Sequence, residues 1–190
     1  MSNTIPRLTL AALTATLAGC AGDASLAPTG VPHSVQSAPA LSVGAAETEG
    51  ALVAQLRQAS VRFRDIQVAL DEGYIQTSPG CVPGFGIVLR NNALLDGVVD
   101  PEHPEIMLYE PQKNGRMRLV GIELLVLAIP WDATHSGPPT YAGQALEDRR
   151  APGSAGPPFP NYALHVWIWQ HNPNGLFTPF NPTITCEFAT

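Results

Sequence analysis

The segment Tyr162-Ala-Leu-His165-Val-Trp167-Ile-Trp169-Gln-His171 leaves few folds open to this chain. Successive side chains of a β-strand point to opposite faces. A strand here therefore carries Leu164, Val166, Ile168 and Gln170 on one face, and His165, Trp167, Trp169 and His171 on the other. The aliphatic face needs one covering layer and the aromatic face needs another.

The first cover is legible upstream. Leu52, Leu56, Ala59, Phe63, Ile66 and Leu70 recur at spacings of 4, 3, 4, 3 and 4, one apolar stripe of an α-helix. Thr48 is its predicted N-cap and Gly73 its predicted stop. One stripe means one buried side, so the helix is expected to lie on a sheet. The competing dimeric coiled coil has barely four heptads and no matching segment. Further on the period becomes two, which predicts strands over 86–90, 105–109, 117–128, 162–170 and 183–188. Asn114-Gly115 marks a hairpin between the second and third. Residues 130–161 hold Pro130, Pro138, Pro139, Pro152, Pro157, Pro158 and Pro160, and cannot form a central strand or long helix. This irregular excursion is the predicted cover for the aromatic face. The expectation is one α+β domain over 48–190, with a long amphipathic helix on an antiparallel sheet of four to five strands.

Glu123 stands in Leu119-Val-Gly121-Ile-Glu123-Leu-Leu-Val-Leu-Ala128, a run otherwise almost wholly apolar. A buried carboxylate is costly unless paired, hydrogen-bonded or protonated. If the 117–128 and 162–170 strands lie close in the sheet, Glu123 and His165 meet on the face opposite the helix, and Gly121 admits a close neighbour there. The couple then has three readings: an acid–base pair, half of a metal site, or a buried salt link. Trp167 and Trp169 either floor a ligand pocket with His165 or pack as a second small core. His165 and His171 cannot share a metal, because six strand residues span ~20 Å; His171 precedes a turn and is predicted exposed. Asp96, Asp100, Glu102, His103 and Glu105 do not match a calcium loop and read as a solvated acidic loop. Nucleophile-elbow, zinc-protease, Walker, CxxC and dinucleotide patterns are absent.

The chain begins with a short basic head ending at Arg7, an apolar run from Leu8 to Leu17, then Leu17-Ala-Gly-Cys20. That pattern is a secretory signal, too short to span a bilayer. Leu-Ala-Gly-Cys resembles the lipobox of bacterial lipoproteins, which implies cleavage after residue 19 and diacylglycerol on Cys20. Ala21 rather than Asp follows, which points to the outer membrane. Residues 20–47, rich in Ala, Ser, Pro and Gly, read as a disordered tether in which His33 is a solvated side chain. With Cys20 lipidated, Cys81 and Cys186 are left in an oxidising compartment, where a disulfide is the first reading and a shared metal site the second. Closing a loop of about 100 residues is worth at most ~4.7 kcal/mol in the chain-entropy account. Loss of Arg7 leaves nine Lys and Arg against 16 Asp and Glu, a mature net charge of −7. No basic run exceeds Arg149-Arg150, so nucleic acid and charge-driven lipid binding are not expected.

Between about Phe63 and Cys186 the chain also resembles a set of uncharacterised secreted bacterial proteins. The resemblance rests on Phe63-Arg-Asp65 with Gly73-Tyr74, Asn91 with Asp96, Pro104-Glu105 leading to Tyr109-Glu-Pro111, and Gly115-Arg116-x-Arg-Leu-Val-Gly-x-Glu123. It continues through Leu164-His165-Val-Trp167-x-Trp169, Asn172-Pro173-x-Gly175-x-Phe177 and Asn181-Pro182 before Cys186. It implies an exported one-domain protein with the same Cys pair. It also implies a His where this chain has Val88, which with Glu123 and His165 would complete a His/Glu/His set, and an acidic residue where it has His171. The predicted function is a non-enzymatic, surface-tethered module that binds a small ligand on the His165/Trp167/Trp169 face and needs no cofactor. The alternatives are an enzyme or metalloprotein using Glu123 and His165, and an envelope protein whose aromatic face meets a partner protein.

Overall fold

The computed structural model describes residues 43–189, with side chains from residue 49 onward. Residues 1–19, read above as a secretory signal, and Cys20 and His33 lie outside these residues. The described chain is α+β. Strands β1 (Tyr74–Gln76), β2 (Ile87–Asn91), β3 (Ile106–Pro111), β4 (Met117–Leu127), β7 (Glu147–Asp148) and β8 (Asn161–Val166) form one antiparallel sheet in the order β1-β2-β3-β4-β8-β7. Short strands β5 (Thr140–Tyr141) and β6 (Gln144–Ala145) pair separately. The sheet thus has six strands rather than four or five. The additions, β1 and β7, are edge strands of three and two residues, too short to show a period.

The single long helix is replaced by three pieces. Helix α1 (Val43–Ser60) starts before Thr48, so Thr48 is not its cap. It runs into a 3₁₀ turn at Val61–Arg64, and α2 (Ile66–Asp71) follows. The break lies at Asp65, which takes an extended conformation and caps α2 by accepting from the Gln67 N–H at 3.0 Å. An extended residue resets the helical phase. Leu52, Leu56 and Phe63 are buried as the stripe requires, but Ala69 takes the place of Leu70, which is 44% exposed. Gly73 does end the helical region, at φ +91°.

Both faces of the sheet are buried. On the helix side Leu52, Leu56 and Phe63 pack with Met107, Tyr109, Leu119, Ile122, Leu124, Leu164 and Val166. On the other side Ile106, Leu108, Val120, Leu125, Trp167 and Ile184 form a second cluster. β3 and β4 make the Asn-Gly hairpin, with Gly115 at φ +74°. Their register shifts between Leu108 and Tyr109, leaving Val120 as a bulge, so Leu119 and Ile122 can both face the helix. The turn into β2 needs glycine at Gly86: φ is +83° and a Cβ would lie 2.1 Å from the Tyr109 carbonyl oxygen.

The 183–188 segment is not a strand. It crosses the second face as turns whose backbone bonds go elsewhere. Asn181 Oδ1 accepts from Thr183 N–H, Glu110 Oε1 accepts from Thr185 N–H, and Ile184 fills the second core. The Cys81–Cys186 disulfide pins this segment to the loop before β2. The excursion is less irregular than expected: it holds a short helix α3 (Ala128–Asp132) and the strands β5 to β7. Among the described residues no helix is long and apolar enough to cross a membrane.

Candidate functional site

Antiparallel pairing sets Arg90 opposite Ile106, Ile106 opposite Glu123, and Glu123 opposite His165. These residues of β2, β3, β4 and β8 make one row across the second face, stepped by about 4.8 Å per strand. The sheet register therefore brings the carboxylate and the imidazole together on the side away from the helix.

Arg149, which follows β7, completes the group. Its Nη1 donates to Glu123 Oε1 at 2.6 Å, its Nε and Nη2 donate to Glu147 Oε2 at 3.0 and 2.8 Å, and its Nη2 lies 3.3 Å from His165 Nδ1. Burial disfavours the Arg149 charge, but the carboxylates of Glu123 and Glu147 outweigh it and raise its pKa. A guanidinium only donates, so His165 Nδ1 must accept and the imidazole proton sits on Nε2. Burial lowers the His165 pKa, and Arg149 adds to this against the opposing pull of Glu123. The imidazole is therefore neutral, and its 3.4 Å approach to Glu123 Oε2 is not an ion pair. His165 is 2% exposed, and its Nε2–H has no hydrogen-bond partner.

This row floors a cavity of about 400 Å³. Glu123, His165, Arg149 and Arg90 line it, with apolar walls from Val82, Phe85, Val88, Ile106, Pro157 and Pro158. Phe85 packs against the imidazole with ring centroids 5.1 Å apart. Arg149 is shared between Glu123 and Glu147, and Glu123 also acts on Arg90, which has no carboxylate in salt-bridge contact among the described residues. Its guanidinium, whose pKa burial lowers, bonds Asn92 Oδ1 and lies 5.4 Å from the Phe159 ring centroid. The excursion closes one side through Ala155–Gly156–Pro157–Pro158. Gly156, at φ +102°, lets the loop come within 3.0 Å of Arg149 Nη1, measured from where a Cβ would stand.

The two tryptophans depart from expectation. Trp169 does not share the face of His165. β8 ends at Val166, and the next hydrogen bonds, Ile168 N–H to the Val166 carbonyl and Trp167 N–H to the Leu176 carbonyl, break the alternation. Trp169 turns to the helix side, where its indole N–H donates to Ser60 Oγ at 3.1 Å. Trp167 keeps the second face but is buried, lies on Gly121, and donates to the Thr178 carbonyl. It packs as core and does not line the cavity. Of His165, Trp167 and Trp169, only His165 does. His171 is exposed. Val88, where the resemblance implies a His, opens into the same cavity as Glu123 and His165.

Glu105 corrects the reading of the acidic loop. It is 1% exposed, and its Oε2 accepts from Leu125 N–H at 2.8 Å. Its burial was foreshadowed only by the apolar run that begins at Ile106. Arg149 was hidden differently: within Glu147-Asp-Arg-Arg150 the sequence shows an exposed charge run, not a buried cation.

No known protein family, curated protein or solved structure matches the chain. The chemistry of the cavity is therefore the ground for a functional reading.

Proposed function

We propose that this chain is an exported, lipid-anchored envelope protein whose domain binds a small molecule in the cavity over Glu123, His165 and Arg149. One observation carries the reading: strand register sets Arg90, Glu123 and His165 in one row, joined by Arg149, on the floor of a single cavity whose other walls are apolar. A volume of about 400 Å³ falls in the ~300–1,000 Å³ range of small-molecule sites. Apolar walls with the Arg90 guanidinium, which has no ion-pair partner among the described residues, suit an amphipathic molecule with one polar end, such as a medium-chain carboxylate.

Calorimetry of the full chain carrying Cys20→Ser, which has no acyl groups of its own to compete, tests this with octanoate and decanoate. Saturable binding is expected, weakened about tenfold or more by Arg90→Gln and abolished by Val88→Phe, which fills the cavity. Absence of binding, or binding indifferent to both substitutions, refutes the reading.

A metalloprotein is less well supported. Arg149 already engages Glu123 Oε1 and His165 Nδ1, and its positive charge opposes a cation there. A partner-protein surface loses its aromatic face, since Trp167 is buried and Trp169 lies against Arg57 and Arg64. The anchor has its own test. In membrane fractionation with acyl labelling, Cys20→Ser is expected to release the protein and remove the label. Label retained in the variant contradicts the lipid assignment.

A further inference from the structure

The far end of the β3–β4 hairpin carries a second concavity, which shares no lining residue with the Glu123–His165 cavity. It measures about 510 Å³ and is lined by Arg64, Gln112, Asn114, Arg116, Arg118 and Trp169, among others. No basic run announces it, because the 3₁₀ turn supplies Arg64 and the hairpin supplies Arg116 and Arg118.

The charges are not all spent. Arg118 Nη2 donates to Glu110 Oε2 at 2.6 Å and is neutralised. Arg64 and Arg116 have no carboxylate within salt-bridge distance among the described residues. Arg64 is held in place by Trp169, its guanidinium 5.4 Å from the indole centroid, and Arg57 lies 5.7 Å from the same ring. The indole N–H is committed to Ser60 Oγ, so the ring orients the arginine rather than competing for a ligand. Asn114 Oδ1 accepts from Arg116 N–H, which leaves its amide N–H₂ available as a neutral donor. The groove thus offers two guanidinium forks and one amide, with about two unbalanced positive charges.

We propose that this groove is a binding site for a phosphomonoester, either a free small molecule or a lipid headgroup. Such a group carries about −1.5 to −2 charge at neutral pH and three acceptor oxygens, which matches two planar forks. A long polyanion is not matched: the chain carries a net −6, and the arginines form one cluster rather than a track.

The test uses the ¹⁵N-labelled full chain with Cys20→Ser, at constant ionic strength, following the arginine Nε–H and backbone amide resonances. Glycerol 3-phosphate is titrated first. Phosphatidylcholine vesicles with and without phosphatidate are then compared by co-sedimentation. A saturable shift at Arg64 and Arg116 and at the Asn114 and Arg118 backbone amides, the amide response weakened about tenfold or more in Arg64→Gln/Arg116→Gln but kept in Val88→Phe, supports a free phosphomonoester. Phosphatidate-dependent sedimentation alone, lost in the double variant, supports the lipid source. No response to either probe, or a response the double variant retains, overturns the proposal and leaves the Glu123–His165 cavity untouched.

Discussion

Glu105→Gln is expected to leave stability unchanged in acid and to raise it by up to ~5 kcal/mol above pH 8. Burial is the main cause: it pushes the Glu105 carboxyl from 4.5 up to about 8, against the hydrogen bond from Leu125 N–H and with help from Asp96 and Asp100. Between those values the folded protein holds a proton that the unfolded chain has released. Stability therefore falls as pH rises from about 4.5 to about 8, then levels off. At 1.36 kcal/mol for each tenfold change in proton affinity, the full difference comes to roughly 5 kcal/mol. Gln keeps the shape and the acceptor without the charge. His165 acts in the opposite direction, since its lowered pKa removes stability as pH falls below 6.5. Both proteins contain it, so the difference between their denaturant curves across pH isolates Glu105. A difference that does not grow between pH 5 and 8 would show that the carboxyl titrates normally.

Arg149→Met is expected to cost ~3–5 kcal/mol at neutral pH, because it strands the Glu123 carboxylate without a partner. Arg149 and Glu123 are both nearly inaccessible, with side-chain exposures of 4% and 6%, so solvent screens their contact little. Met retains most of the stem, so the loss reports charge rather than volume. The double variant Arg149→Met/Glu123→Gln is expected to recover most of it, since a pair removed together leaves no uncompensated charge. Chemical denaturation of the four proteins of that cycle gives the coupling. Additive effects would mean that the two groups do not depend on each other. The cycle also bears on the cavity, because Arg149 orients the His165 imidazole through Nδ1.

Local periods and anomalies were legible along the chain. Alternation identified β4 and most of β8, the Asn-Gly pair located the hairpin, and a lone carboxylate in an apolar run singled out Glu123. Cysteine arithmetic named the Cys81–Cys186 bridge. These are legible because period and turn chemistry are properties of neighbours in the chain. The remaining features depend on distant residues competing for the same space and the same hydrogen bonds. Asp65 broke the helix and rephased its stripe, and the end of β8 at Val166 sent Trp169 to the helix side. Register across four strands put Arg90, Glu123 and His165 in one row, and a two-residue edge strand delivered Arg149 beside them. Burial turned Glu105 from a loop charge into a raised carboxyl. The reason is the same each time: a charged or aromatic side chain goes where its partner and its desolvation cost balance, and that balance is set by segments far away in the chain.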